Sequence, residues 1–140
     1  MSAFYSIVCG PADGPALRID IAPRGTLTCD QGHGNSVAGE HWGVDLWDGE
    51  ASPKPGRRNL SDANIGMANA CDGAACATLL EASLEIAGAP SRGSTAVAPS
   101  GAPADPSGIV GELRGRTVTG QIVRVRFRAL PCEPERQICG

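Results

Sequence analysis

Hydrophobic and polar residues alternate with a period of two in several segments of the chain, the spacing of strands that bury one face. The richest example runs from Glu40 to Glu50, where Trp42, Val44 and Leu46 fall on one side and His41, Asp45 and Trp47 on the other. The first set can fill a core, and the second can meet solvent or a partner. Ala3 to Cys9 reads as a short apolar strand ended by Gly10-Pro11. In Ala16 to Ile21, Leu17, Ile19 and Ile21 face one way and Arg18 and Asp20 the other. Thr26 to Cys29 adds a further short strand after the Ala22-Pro23-Arg24-Gly25 turn, completing a meander.

The second half continues the pattern. In Thr78 to Ala87, Leu80, Ala82, Leu84 and Ile86 alternate with Glu81, Ser83 and Glu85, which predicts a strand. The Leu, Glu and Ala content would also suit a short helix near 74–87, stopped at Gly88. Ile109 to Leu113 predicts a strand, Arg114-Gly115-Arg116 a turn, and Thr117 to Leu130 a long strand. Parity changes inside that last strand: Val118 and Ile122 share one side, whereas Val123, Val125, Phe127 and Ala129 share the other. A bulge near Gly120 would reconcile them, leaving Arg124, Arg126 and Arg128 as an outward row. Residues 89–108, mostly Ala, Pro, Ser and Gly, predict a long loop rather than a linker, because too few residues follow for a second domain. The expected fold is all-β: a small antiparallel sandwich or barrel with long loops, in a single domain spanning 1–140.

Composition sharpens this picture. Leu, Ile, Val and Phe total 27 of 140 residues, beside 19 Gly and 11 Pro, so the core is thin and turns are many. The net charge of −3 is distributed unevenly. Residues 1–50 balance at −5, 51–108 at −1 and 109–140 at +3. No run approaches the length of a transmembrane helix. The arginine row has no aromatic residues on its own face, which argues against nucleic acid as a partner. Its plainer role is to keep an edge strand from pairing with another sheet.

Six cysteines over a thin core favour disulfides and an oxidising compartment. Pairing nearest neighbours gives Cys9–Cys29, Cys71–Cys76 and Cys132–Cys139. Residues 1–10 show neither the basic start nor the apolar run of a secretory leader. The expected location is nevertheless secreted or periplasmic, with a viral or surface assembly as the alternative.

Candidate chemistry is sparse. Gly34-Asn35-Ser36-Val37-Ala38 lacks the final glycine of a nucleophile elbow, and Gly32-His33-Gly34 lacks the third glycine of a dinucleotide fingerprint. No cofactor is therefore expected. Asn59-Leu60-Ser61 fits a glycosylation acceptor. His41-Trp42-Gly43-Val44-Asp45 resembles the first zinc motif of LytM-type peptidoglycan endopeptidases. That resemblance implies zinc ligation by His41 and Asp45, although no histidine follows His41 to complete the family's second motif. Gly25-Thr26-Leu27-Thr28-Cys29, followed much later by Gly115-Arg116-Thr117-Val118-Thr119 and Cys132, faintly resembles secreted subtilisin inhibitors of actinobacteria. The middle cysteine spacing does not follow that family, so no residue role transfers.

These observations favour a non-catalytic, disulfide-stabilised β domain outside the cytosol. It would bind another protein or a surface polymer through His41, Asp45 and Trp47 or through Arg124, Arg126 and Arg128. A structural subunit of a virion or surface filament is one alternative, and a zinc-dependent hydrolase around His41 and Asp45 is another.

Overall fold

The computed structural model describes residues 2–9, 15–24, 39–47, 54–73, 75–88 and 108–132. The fold is all-β. The strands are β1 (Ser2–Cys9), β2 (Pro15–Ala22), β3 (Glu40–Leu46), β4 (Gly56–Asn59), β5 (Gly66–Asp72), β6 (Ala75–Thr78), β7 (Leu80–Gly88), β8 (Ile109–Arg116) and β9 (Ile122–Pro131). They form one curled sheet in the order β4-β7-β8-β9-β1-β2-β3-β5-β6. Neighbours run antiparallel except β1 and β9, which pair in parallel at Phe4–Leu130 and Tyr5–Pro131.

The parallel pair follows from how the curl closes. β6 and β7 are separated only by Leu79. The Leu79 N–H donates to Ala68 O on β5 at 2.8 Å, and the Leu60 N–H donates to Ala82 O at 2.8 Å. Residues 75–88 thus run as one broken strand with β5 and then β4 on one side and β8 on the other. Counting that strand once, and β4 with β5 once because they follow each other along the same side of it, seven strands curl round the interior. When an odd number of strands each reverse direction, the first and last must point the same way.

Alternation delivers the core. Leu17, Ile19, Ile21, Val44, Leu46, Ala82, Leu84, Ile86, Leu113, Val123, Val125, Phe127 and Ala129 are all buried in one cluster on the concave side. Trp42 packs against its edge, partly exposed. Burying each of the larger aliphatic side chains contributes about 1.5–3 kcal/mol, so the cluster suffices for a compact sheet despite the thin composition.

Three local expectations are corrected. No helix occurs among the described residues 75–88; the alternating pattern prevails over propensity because burial of one face decides. Leu80 is exposed rather than buried, because the ladder shifts register between Leu80 and Ser83 and Glu81 adopts φ 52°. Leu79 takes the inward place instead. Arg114-Gly115-Arg116 belongs to β8, and the chain turns one step later. Thr117 N–H bonds to Gln121 O, Gly120 N–H bonds to Thr117 O, and Gly120 has φ 92°, a three-residue hairpin loop with glycine in its left-handed position. That turn, not a bulge inside a strand, produces the change of parity, and it leaves Val118 and Ile122 exposed.

Cys71 and Cys76 face each other on β5 and β6 and are joined by a disulfide. Cys132 is disulfide-bonded as well, and among the described residues no cysteine is free. Cys29, Cys139, the side chain of Cys9, the expected strand at 26–29 and the loop at 89–107 lie outside the described residues.

Candidate functional site

The sheet's convex side carries two distinct polar arrangements. On β2 and β3, Arg18 stands opposite Asp45 in register. Its guanidinium donates to Asp20 Oδ1 at 3.0 Å and to Asp45 Oδ2 at 2.8 Å. All three side chains are largely buried. One cation between two buried carboxylates leaves the group a proton short of neutrality. Burial accordingly raises the pKa of Asp20 and of Asp45, and Arg18 offsets this only in part. Burial also opposes the charge on Arg18, but Asp20 and Asp45 outweigh it and hold the guanidinium protonated.

The expected group of His41, Asp45 and Trp47 is therefore not an open contact face. His41 is buried, with Nδ1 3.2 Å from Gly39 O. Asp45 is held by Arg18. Trp47 lies just past the strand, half-buried, and its indole N–H donates to Ala63 O at 2.8 Å. His41 and Asp45 share a face of β3 with Gly43 between them. Among the described residues, no three of His, Cys, Asp and Glu are grouped to hold a metal ion.

The second arrangement covers β8 and β9. Arg124, Arg126 and Arg128 point outward as expected. Arg114 and Arg116 join them from β8, giving β8 and β9 five arginines against Glu112; on the adjoining β7, Glu85 lies opposite Glu112 and Glu81 pairs with Arg116, so the outer face of β7–β9 balances at +2. Glu112 lies opposite Arg126, bonded to it at 3.1 Å, to Arg124 at 3.4 Å and to Arg114. Hydrogen bonds from Arg114 and Arg126 lower its pKa to about 2, so it stays ionised and pins the centre of the row. The side chain of Arg126 remains 82% exposed.

Apolar residues collect on the same side. Among the described residues, the large exposed hydrophobic side chains are Leu80, Val110, Val118, Ile122 and Leu130. All lie on β7, β8, β9 or the turn between the last two. Arg114 and Arg116 were missed in the sequence because Gly115 makes them resemble a turn. Leu80 was missed because a bulge reverses its parity.

A cleft of about 570 Å³ opens at one end of the barrel, between β6 and the β8–β9 turn. Arg24, Glu40, His41, Trp42, Asp72 and Arg124 are among its lining residues. It brings His41 together with Arg124, which also belongs to the arginine row. No helix among the described residues is long and apolar enough to cross a membrane. The chain matches no family model, no curated protein and no solved structure.

Proposed function

We propose that this chain is a non-catalytic, disulfide-bonded β module working outside the cytosol, and that it binds an acidic partner protein through the outer face of β7–β9. The observation that carries this reading is the coincidence of five arginines with exposed Leu80, Val110, Ile122 and Leu130 on adjoining strands. Arginine and exposed apolar side chains together are the composition of a protein interface. A charged row alone would suit solubility or any polyanion; aliphatic groups between the charges favour a partner that offers apolar contacts too. The Cys71–Cys76 disulfide is compatible with an oxidising compartment.

The test compares three probes on the intact protein: a random glutamate–tyrosine copolymer, polyglutamate and heparin. The copolymer should bind most tightly, and an Arg124→Ala/Arg126→Ala/Arg128→Ala variant should lose that binding while keeping its melting temperature. Equal or tighter binding of heparin would move the assignment to an anionic surface polymer. Absence of binding to all three would remove the surface as a binding site.

A further inference from the structure

Among the described residues, the seam of the curled sheet is left unpaired at one end. Leu79 bonds to β5, and Leu80 pairs with Arg116 on β8. Backbone N–H and C=O groups alternate sides along a strand. Cys76 and Thr78 therefore turn theirs away from β5, toward the line that β8 would occupy. Continuing that register would set Thr78 against Val118 and Cys76 against Gly120. The hairpin prevents this by turning back at Thr117, with Gly120 bonded to Thr117 O at 2.9 Å. Among the described residues, Cys76 and Thr78 have no strand partner on that side. The cleft fills the gap.

Among the described residues, this edge has none of the usual protection. β6 reads Ala-Cys-Ala-Thr, without charge or proline, and all four residues are exposed. The opposite end of the sheet, β4, carries Arg57 and Arg58. Sheet edges are normally guarded by charge, proline or a cover. An open edge beside a cleft is the geometry of strand addition.

The cleft is lined by Arg24 and Arg124 as well as by Glu40 and Asp72, so its formal charges balance, but one position within it favours a cation. Glu40 and Asp72 stand directly opposite in register on β3 and β5, on the same face as Trp42, Ala70 and Ala77 by alternation. Both are exposed, and neither has an ion pair among the described residues. Like charges placed across a ladder disfavour each other, and a cation from outside would relieve both. Beyond them, Trp42, Ala70, Ala77 and Val123 make an apolar lining.

We infer that β6 is a docking edge for an extended segment of a partner protein, which adds as a strand to Cys76 and Thr78. The segment points a basic side chain at Glu40 and Asp72 and small apolar side chains at Trp42 and Val123. Main-chain bonds supply the affinity, and alternate inward side chains supply the selectivity. This site goes beyond the arginine face and does not depend on it.

The test uses a capped seven-residue peptide in which threonine alternates with valine, lysine and valine. With the disulfide-intact protein labelled for NMR, its addition should shift and protect the amides of Cys76 and Thr78 and perturb the Trp42 indole. Replacing the peptide's lysine with glutamate should weaken binding by about ten-fold or more. Methylating alternate backbone nitrogens should abolish it. Thr78→Pro removes an N–H that faces the cleft, a position where an edge strand tolerates proline, and should abolish binding in a folded protein. Glu40→Gln/Asp72→Asn should equalise the lysine and glutamate peptides. Unchanged Cys76 and Thr78 amides at millimolar peptide would overturn the proposal. So would self-association of the protein through these amides, which would assign the edge to a second copy. An Arg126→Ala/Arg128→Ala variant should bind the peptide normally, which separates this outcome from that of the arginine face.

Discussion

The guanidinium of Arg18 on β2 lies over Gly43 on β3, in the space that a side chain at position 43 would fill. A Cβ on Gly43 would collide with the guanidinium nitrogen and come within 2.8 Å of its Cζ. The glycine is what lets one arginine reach both Asp20 and Asp45.

Gly43→Ala should therefore destabilise the protein by about 1–3 kcal/mol, as small-to-large changes in packed sites do, although alanine suits a strand better than glycine. Arg18→Ala should cost about 2–3 kcal/mol, below the range for a fully buried pair because these side chains keep some contact with water. The two changes should not add. Once Arg18 is removed, Gly43→Ala should cost less than about 0.5 kcal/mol, giving a coupling near 1 kcal/mol or more. Urea unfolding of the four proteins measures this, and additive losses would show that the two residues do not compete for space.

The same cluster sets a dependence on pH opposite to that of Glu112. The raised pKa values of Asp20 and Asp45 mean that the folded state holds protons the unfolded chain has released. Stability then falls as pH rises from the unfolded value near 3.8 through the raised folded value. Glu112 is depressed to about 2 from 4.5; its contribution is complete above 4.5 and is lost as pH falls toward 2. The stability of the wild type minus that of Asp20→Asn should thus decrease from pH 4 toward neutrality. The wild type minus Glu112→Gln should increase from pH 2 to 4.5. A difference that moved the other way in either series would contradict the assigned cause.

Glu81 carries a left-handed backbone, φ 52°, where the β7–β8 ladder shifts register. Its carboxylate is 3.3 Å from Arg116, but an exposed pair of this kind contributes little. Glu81→Gly should therefore leave stability unchanged or raise it by up to about 1 kcal/mol. Glu81→Val, a β-branched residue in the same conformation, should lose about 1–2 kcal/mol. Melting temperatures that ranked valine above glycine would mean that the bulge moves with the substitution.

The strands were legible because period-two alternation and burial of one face agree. Leu17-Ile19-Ile21, Trp42-Val44-Leu46 and Val123-Val125-Phe127-Ala129 all face the interior as their spacing implies. What the pattern could not reveal were its interruptions. The bulge at Glu81 and the turn at Thr117–Gly120 each reverse parity once, and neither has a sequence signal stronger than one glycine or one charged residue. The outward row of Arg124, Arg126 and Arg128 was legible, because an arginine on every second position can only point outward from an apolar strand. His41 and Asp45 misled, because alternation says which side a residue takes and not how far that side is covered. Asp45 needed Arg18, 27 residues earlier, and only the β2–β3 register joins them.

The Cys71–Cys76 bond closes a short loop, with a sequence separation of 5, and it ties the unguarded strand β6 to β5. Chain-entropy arguments give a loop of this length about 2 kcal/mol, so Cys71→Ala/Cys76→Ala should remain folded with a lowered urea midpoint. The larger effect should be local. Without the covalent tie, β6 has, among the described residues, only its backbone bonds to Asn69–Asp72 on one side and no strand pairing on the other. Hydrogen exchange at Ala75 and Ala77 should rise well above that at core amides such as Val44 and Leu84, whereas in the oxidised protein the difference should be small. A uniform rise across all strands would instead assign the disulfide a global role and leave β6 no weaker than its neighbours.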